Sequence, residues 1–296
     1  MVFSIHRAVV TAVRPLTPGM VRVTFGGDGV SRYPTSGIGD EYVRLFFPVE
    51  QDAEPVLPYS TGESWAFEEG VTPAQMRTYT VRSVDHGAGT VDIDFVVHEG
   101  GVAASWALAA AVGNVIGISS PTGLYAPPAD LEWQILLADA TGLPAAFRIA
   151  EQTPAGVRTR MVMEVGSAAE IQDVTGEGVE ISWVVGGNGH GPSCFDEVVR
   201  DLAIPEGVGY IWFAGEASVM RGIRKELRHV RKLPNAAYKT VGYWTVDEER
   251  WVERWNGLDE VTRAEIDALW DGWDAPGTDQ EAITDAYYDQ LERLGL

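Results

Sequence analysis

The clearest chemical potential in the sequence lies in one short run, Arg77-Thr78-Tyr79-Thr80-Val81-Arg82. The run is typical of a strand followed by a turn, so the side chains of Arg77 and Tyr79 fall on the same side. A tyrosine there can lie against a flat ring, while Thr80 and backbone groups bond to the polar edge of that ring. Arg77 can pair with a phosphate through two hydrogen bonds. The alternative is an ordinary edge strand with a surface arginine.

A second stretch with binding potential runs from His98 to Trp106 and combines a strand end, a glycine turn and a helix start. A helix N-terminus offers free N–H groups and a partial positive charge, which suit a diphosphate. The small side chains of Ala103 and Ala104 would let a ligand approach the backbone. The alternative is a plain strand-turn-helix in which Trp106 fills the interior of a barrel. Together with the first run, about 20 residues earlier, this stretch favours a ligand.

Residues 1 to about 123 must position both stretches, and they are predicted to form short strands. Apolar and polar residues alternate in several runs that turn residues separate. Their regular spacing favours a closed antiparallel barrel, which leaves no exposed edge. One short alanine-rich helix, 103–112, interrupts the set. The strand candidates are Ile5–Val13, Val21–Phe25, Glu41–Phe47, Met76–Ser83, Val91–Val97 and Asn114–Ser119.

From about Leu131 the pattern changes to alternating strands and helices. Trp133–Ala138 is a continuous apolar run, which is typical of a buried parallel strand. This alternation predicts an α/β unit with a parallel sheet. The further strand candidates are 159–165, 182–185 and 209–214, and the helical candidates include 143–152 and 218–231.

Composition indicates a globular protein and excludes several partners. The chain has 296 residues, of which 45% are hydrophobic and 22% charged, enough for two domains with a real core. A formal net charge of −21 argues against nucleic-acid binding and against an acidic membrane surface. We see neither a membrane span nor a secretory signal. The single cysteine, Cys194, fits a reducing cytoplasm, and His98 and His190 lack a metal-ligand spacing.

The negative charge is concentrated at the end of the chain. From Asp247 to Leu296 there are 15 acidic and 4 basic residues, a net charge of −11. Thr–Glu pairs at capping-box spacing predict helices that begin near Thr245, Thr262 and Thr278. Four of the ten tryptophans also lie here, at helical spacing. We therefore expect a docked helical tail, which covers the cleft of the barrel domain or forms an oligomer contact.

The order of a barrel and then an α/β domain resembles the ferredoxin–NADP reductase superfamily, in which an Arg-x-Tyr-Thr/Ser strand holds the flavin. Within it, the chain is similar to the siderophore-interacting proteins, which are flavin-dependent ferric-siderophore reductases. Five ordered motifs, within about residues 4 to 246, carry this resemblance. They are Arg77–Arg82, His98–Ala107, Ala138–Ala145, Gly215-Glu216 and Gly242-Tyr243-Trp244.

Three departures from the family pattern touch the predicted site. Gly100-Gly101-Val102 stands where the family has Gly-Pro-Ala, a change that can alter the shape of the phosphate turn. Ala138 and Ala140 replace the Gly and Glu of the nicotinamide-side loop. Thr245 replaces the Arg after Tyr-Trp, which removes a cation near the expected siderophore side.

The resemblance implies roles for the residues that match the family motifs. They form three groups: Arg77, Tyr79, Thr80 and Val81 for the isoalloxazine and phosphate; His98, Ala103, Ala104 and Trp106 for the diphosphate and adenine side; Asp139, Thr141, Gly215 and Glu216 for the flavin–nicotinamide boundary and the arriving dinucleotide.

The family thus predicts a six-stranded antiparallel flavin-binding barrel over 1–125, a parallel-sheet nicotinamide-dinucleotide-binding domain over 126–246 and an acidic, tryptophan-rich helical tail over 247–296. FAD and either NADH or NADPH are the expected cofactors, and a cytoplasmic ferric siderophore is the expected substrate. Because the flavin mediates electron transfer, we expect no acid–base side chain. The alternatives are another flavin oxidoreductase of the superfamily, with a quinone, free flavin or protein acceptor, and a siderophore-binding protein without turnover.

A cationic stretch, 215–239, interrupts the acidic chain. Arg221, Arg224, Lys225 and Arg228 fall at helical spacing and predict either contacts with an anionic cofactor, such as a 2′-phosphate, or a solvated helix face. Arg221 and Lys239 are also candidate siderophore contacts, and a surface lysine is the alternative for Lys239. The glycine-rich loop 186–191 lacks the dinucleotide-binding order and is expected to be structural.

Overall fold

An antiparallel sheet of seven strands occupies the first part of the computed structural model. The structure describes residues 4–61, 65–98, 101–174, 176–187, 191–273, 275 and 277–296. The strands of this part are β1 (Ile5–Thr17), β2 (Met20–Gly26), β3 (Tyr42–Phe47), β4 (Tyr59–Ser60), β5 (Trp65–Ala66), β6 (Gln75–Thr80), β7 (Ser83–Asp85), β8 (Thr90–Val96) and β9 (Val115–Ser119). In the sheet they lie in the order β6-β3-β9-β1-β2-β8-β7, and β4 and β5 form a separate two-stranded sheet.

Two residues close this sheet into a barrel. The outer strands β6 and β7 are joined only by Val81 and Arg82. The Val81 N–H donates to the carbonyl of Glu41 beside β3 (2.8 Å), and the Arg82 N–H donates to the carbonyl of Asp92 in β8 (2.9 Å). The single strand predicted over 76–83 therefore changes partner halfway. The expected six-stranded barrel is confirmed in architecture, and its count becomes seven because of this break.

The helix α1 (Val102–Ala109) fills the barrel from one end. Trp106 is buried, and its ring centroid lies 5.3 Å from that of Phe47 and 6.2 Å from that of Phe95. Burying one large aromatic side chain contributes about 3 kcal/mol to stability. Because the alanines around Trp106 are small, α1 approaches the barrel strands closely enough for that ring to reach the core.

A parallel five-stranded sheet follows, formed by β10 (Trp133–Asp139), β11 (Arg158–Val165), β12 (Val179–Val185), β13 (Gly209–Glu216) and β14 (Tyr238–Trp244). The strands lie in the order β12-β11-β10-β13-β14. The chain first builds outward from β10 to β12 and then returns to the other side of β10 with β13. Ligands of such sheets bind where this reversal occurs, at the carboxyl ends of the two strands.

Helices cover both faces of this sheet, which explains the unbroken apolar run of β10. Leu136 and Ala138 face one core, with α2 (Leu143–Gln152), while Ile135 and Leu137 face the other. The second face is covered by α3 (Phe195–Arg200) and by α4 (Ala217–Lys225), which continues into a π-helical turn, Glu226–Val230. Short 3-10 turns lie at Ala168–Glu170 and Asn235–Ala237.

The tail is helical, as expected, but its helices begin at aspartates. The tail helices are α5 (Glu248–Asn256), α6 (Glu260–Ala268) and α7 (Gln280–Arg293). Asp259 accepts from the Thr262 N–H at 2.8 Å, and Asp279 accepts from the Ala282 N–H at 3.1 Å. A carboxylate both caps the helix and meets the positive end of its dipole, so in α6 and α7 it replaces the threonines predicted as caps.

Within the part of the chain that the structure describes, no helix combines the length and the apolar character needed to cross a membrane.

Candidate functional site

The first four residues of β6 are exposed on both faces of the strand. Gln75, Met76, Arg77 and Thr78 are all exposed, whereas a strand of an antiparallel sheet normally packs one face on the core. The guanidinium of Arg77 donates to the Met76 carbonyl at 2.8 Å and otherwise stands at the surface. This stretch is therefore a surface that a flat ligand can cover.

Tyr79 and Thr80 mark the point where β6 returns to the core. The Tyr79 ring lies 4.5 Å from that of Phe95, between centroids. Burial raises the pKa of Tyr79 to about 12, more than the charge of Arg77 lowers it, so its phenol stays neutral at physiological pH. Thr80 is buried, and its side chain lies beside that of Tyr243 in β14. The predicted flavin strand thus touches the parallel-sheet domain.

Val81 acts through its backbone. Its side chain is buried in the barrel core, its N–H donates to Glu41 as described above, and its carbonyl accepts from the guanidinium of Arg148 at 2.7 Å. Val81 therefore fixes the chain just after Tyr79 and Thr80, and its predicted direct contact with the flavin stays a prediction.

The start of α1 suits a diphosphate. Gly101 is the N-cap, the first turn contains no acidic residue, and among the described residues no side chain caps this end. The first N–H groups of a helix have no intrahelical partner, so they can receive phosphate oxygens. Ala103 and Ala104 are buried beneath them. Residues 99 and 100, which belong to the same predicted motif, lie outside the described residues.

Trp106 is placed by the barrel core rather than by the adenine side. It is 4% exposed and packs between the rings of Phe25, Phe47 and Phe95. The alternative stated from the sequence, a tryptophan that fills the barrel, is what the structure shows. His98 lies at the end of the strand before α1, next to its N-terminus.

Asp139 ends β10 at the reversal point of the parallel sheet. Its carboxylate accepts from the Thr141 N–H (2.9 Å), the Thr141 hydroxyl (2.6 Å), the Glu216 N–H (2.9 Å) and the indole N–H of Trp244 (2.6 Å). Complete burial raises the pKa of Asp139 in spite of these donors. Three segments, namely the loop after β10, β13 and β14, therefore converge on one carboxylate.

Gly215 and Glu216 surround the same carboxylate from β13. A Cβ on Gly215 would lie 2.7 Å from Asp139 Oδ2, so only glycine fits there. Glu216 caps α4 by accepting from the N–H groups of Ser218 (2.7 Å) and Val219 (3.0 Å). Its negative charge stabilises that helix end, which for the same reason does not attract an anionic ligand.

A cavity of about 320 Å³ opens beside these residues, at the carboxyl edge of the sheet. Asp139, Glu164 and Glu216 contribute carboxylates to its lining, and Phe195 and Trp244 contribute rings. As far as the described residues show, neither lysine nor arginine lines it. The cavity thus favours a neutral or cationic ring over a phosphate. Residues 188–190 of the glycine-rich loop lie outside the described part of the chain.

The cationic stretch is turned towards the tail. Arg224 is buried and forms ion pairs with Glu281 and Asp285 of α7. Arg228 pairs with Asp285 at 2.7 Å. Neither alternative stated from the sequence, contacts with an anionic cofactor or a solvated helix face, describes Arg224 and Arg228, because carboxylates of the chain itself pair with both. The tail therefore docks on α4, and among the described residues no hydrogen bond or ion pair joins it to the barrel, whose cleft was one of its expected positions.

Two substrate candidates stay predictions. The Arg221 guanidinium donates to the carbonyl of Leu296 at 3.3 Å. Lys239 lies half-buried on β14, in register with Trp212 of β13. Neither position lines the cavity at the sheet edge.

Sequence reasoning missed Arg148 and gave no role to Trp244. Arg148 stands within α2, where the residues from Leu143 to Ala150 are all buried. An arginine inside an apolar stretch of a helix signals a buried acidic partner, because an unpaired buried charge is very costly. The partner, Glu41, lies 107 positions away in the sequence, so only the signal and not the pairing was visible.

Two family models match the chain in the order of its two sheets. The model described as the siderophore-interacting FAD-binding domain matches residues 9–125, and the model described as siderophore-interacting protein matches residues 131–247. The tail helices from Glu248 onward follow the second match.

Individual relatives match over most of their length. An uncharacterized protein from Mycobacterium tuberculosis is 33% identical over 257 residues, covering 81% of this chain and 90% of that protein. The NADPH-dependent ferric-chelate reductase of Escherichia coli is 28% identical over 242 residues, covering 79% and 91%. The crystal structure of a siderophore utilization protein from T. fusca superposes with a TM-score of 0.73 at 32% identity, covering 83% of this chain and 96% of that one.

Proposed function

The chain belongs to the siderophore-interacting protein family, and we propose that it is an FAD-dependent ferric-siderophore reductase that uses NADH or NADPH. Oxidation of one NAD(P)H to NAD(P)⁺ and a proton releases two electrons, which reduce two Fe(III) ions to Fe(II). FAD, when bound, supplies the ability to accept two electrons as a hydride and to pass them on singly. Fe(II) is held less tightly by the hard oxygen ligands of siderophores, so reduction releases the iron.

One observation carries this proposal: two consecutive residues of β14 join the predicted flavin strand to the predicted dinucleotide cavity. The Tyr243 side chain lies beside that of Thr80, and Trp244 donates to Asp139 at the cavity. Hydride transfer requires reacting atoms about 3–3.5 Å apart, so the two cofactor sites must adjoin. A fold that only bound a siderophore would have no need of this junction.

The residues of the barrel side fit FAD by charge and shape. Arg77 offers an exposed guanidinium to a phosphate, and the start of α1 offers N–H groups without a competing carboxylate. Tyr79 presents a neutral phenol that packing against Phe95 holds in place. These groups bind and orient the cofactor, and no proton transfer is asked of them.

The cavity at the sheet edge suits the nicotinamide end of the donor. Its three carboxylates repel phosphates but tolerate the nicotinamide ring, which becomes cationic when oxidised. Asp139 holds the Trp244 indole and the backbone of Glu216 against this cavity, which keeps its wall in one position. We place the reaction in the cytoplasm, where the nicotinamide donor is available.

The absorbance spectrum of the purified protein after addition of FAD tests the proposal directly. We expect flavin bands that NADH or NADPH bleaches without oxygen, followed by ferrous release when a ferric siderophore is added. An unbleached flavin would overturn the reductase. Bleaching without ferrous release from any complex in a panel would favour another flavin oxidoreductase of the superfamily.

The flavin site is tested by Tyr79→Ala. Loss of the packed ring should abolish flavin retention on gel filtration, with an unchanged circular dichroism spectrum. Retention equal to that of the unaltered protein would refute the placement of FAD on β6.

A further inference from the structure

One buried arginine connects the two sheets beside the proposed flavin site. Arg148 is 6% exposed and belongs to α2, on the parallel-sheet side. Its Nη1 donates to the Val81 carbonyl at 2.7 Å, and its Nη2 donates to Glu41 Oε2 at 2.8 Å. Both acceptors belong to the barrel, so one guanidinium bonds across the boundary in two directions.

Glu41 is built to receive this arginine. Its carboxylate is fully buried and also accepts from the hydroxyl of Thr35 (2.8 Å) and the N–H of Gly37 (3.2 Å). Burial alone would raise the pKa of Glu41, but hydrogen bonds from Ser36 and Thr35 and the charge of Arg148 together lower it. The Glu41 carboxylate is therefore ionised beside the arginine, and both side chains have hydrogen-bond partners.

The loop that carries Glu41 meets the parallel-sheet domain at two more points. A Cβ on Gly39 would lie 2.5 Å from Ile149 Cγ1 and 2.8 Å from its Cα, so the loop lies directly against the α2 backbone. Asp40 accepts from the indole N–H of Trp212 in β13 at 3.1 Å. We name Gly39, Asp40, Glu41, Arg148 and Trp212 the domain latch.

The latch is connected along the chain to each half of the proposed site. Val81 directly follows Tyr79 and Thr80 of the flavin strand. The helix α2 begins at Leu143, directly after the loop of Asp139 and Thr141 at the cavity. Any shift of α2 against the barrel would therefore change the spacing between the two cofactor sites, and Arg148 is the side chain that bonds to both the strand end and its supporting loop.

We propose that Arg148 is a positioning residue for electron transfer, which holds the end of the flavin strand at a fixed spacing from the nicotinamide cavity. This inference rests on the proposed function. Displacement of reacting groups by about 1 Å can lower a rate about 100-fold, so the latch matters for rate more than for binding of either cofactor.

The test compares Arg148→Met with Arg22→Met in the full-length protein. Arg22 forms an equally direct pair with Asp94 (2.6 Å and 2.8 Å), but both residues belong to the barrel. In anaerobic stopped-flow measurements with saturating NADPH, Arg148→Met should lower the rate of flavin reduction per bound flavin about 100-fold. The NADPH concentration at half-saturation should change little, and Arg22→Met should leave both quantities as they are.

A second measurement does not depend on catalysis. Amide hydrogen exchange should speed up in peptides over 35–41 and 78–83 of Arg148→Met, whereas Arg22→Met should affect only β2 and β8. Arg148→Lys, which can keep one of the two bonds, should restore part of the rate and part of the protection.

Equal reduction rates per bound flavin in Arg148→Met and Arg22→Met would overturn the proposal, even if Arg148→Met were less stable. If Arg148→Met does not fold, Glu41→Gln decides by the same two measurements. If the unaltered protein is not reduced by either nicotinamide, the proposed function fails instead. Unchanged exchange in both segments would then separately refute the latch.

Discussion

Two arginine–carboxylate contacts that join separate parts of this molecule differ in burial. In the domain latch, Arg148 and Glu41 have side-chain exposures of 7% and 0%. Where the tail meets α4, Arg224 is similarly buried at 7%, but its partners Glu281 and Asp285 are 29% and 21% exposed. The first contact lies beside the proposed site, and the second lies away from the lining of the cavity.

The difference teaches what each contact can do. A buried pair has only one arrangement that satisfies all its groups, because water cannot replace a missing partner. Its geometry is therefore well defined, although its net contribution to stability is small. A partly hydrated pair tolerates separation, since its carboxylates can return to water. The latch thus suits precise spacing of two sites, and the tail contact suits reversible docking.

The largest effect should come from leaving Arg148 buried without its partner. Glu41→Ala should lower the free energy of unfolding by about 3–5 kcal/mol, as measured by urea denaturation at pH 7. A loss below about 1 kcal/mol would mean that the pair is not confined as described, and the contrast with the tail would disappear.

Acid should remove the contribution of Glu41 selectively. The pKa of Glu41 is lowered from its ordinary 4.5 in the folded protein, so its ionised form adds stability above that pH and loses it as the pH falls further. The stability difference between Glu41→Gln and the unaltered protein should therefore shrink below about pH 4.5. A difference that stayed constant down to pH 3 would contradict an ionised latch.

A smaller effect is expected at the tail. Arg224→Met keeps the packing beside Tyr288 but removes two ion pairs, and should cost about 1 kcal/mol. Limited proteolysis should then cut within the tail sooner, while flavin retention stays normal. High salt should accelerate cleavage of the unaltered tail too. Loss of flavin in this variant would show that the tail supports the site after all.

The smallest effect should follow from Glu151→Gln. Glu151 also lies on α2 and pairs with Arg82 of the barrel, but it is 45% exposed. We expect a change below about 0.5 kcal/mol in urea denaturation and no change in flavin reduction. Since this pair crosses the same boundary as Arg148 and Glu41, an effect as large as theirs would show that burial is not the deciding property.

Much of the fold could be predicted from residues that repeat locally. Period-two runs such as Val91–Val97 locate barrel strands, and the unbroken run Trp133–Ala138 locates a parallel strand with helices on both faces. The number of barrel strands could not be predicted, because Val81 and Arg82 continue the alternation while their backbones change partner. Trp106 was ambiguous for a similar reason, since a large ring after small residues fits both a core and a ligand site.

The site was predicted in part. Asp139, Thr141, Gly215 and Glu216 were predicted to serve one region, and the structure brings them together around one carboxylate, while their contacts with the cofactors stay predictions. The cap role of Glu216 was not foreseen, because it depends on where α4 begins relative to β13. The partners of the cationic stretch could not be predicted, because charge patterns along a chain do not say which distant carboxylates will neutralise them.

The sequence by itself determined the two kinds of sheet and their order, since these follow from side-chain periodicity along the chain. Only the tertiary structure decided the partners of its charged residues. Arg148 bonds to a residue 107 positions away, and Arg224 bonds to residues 57 and 61 positions away. Electrostatic pairing depends on distance in space and on exclusion of water, and neither quantity is written in the local pattern of the chain.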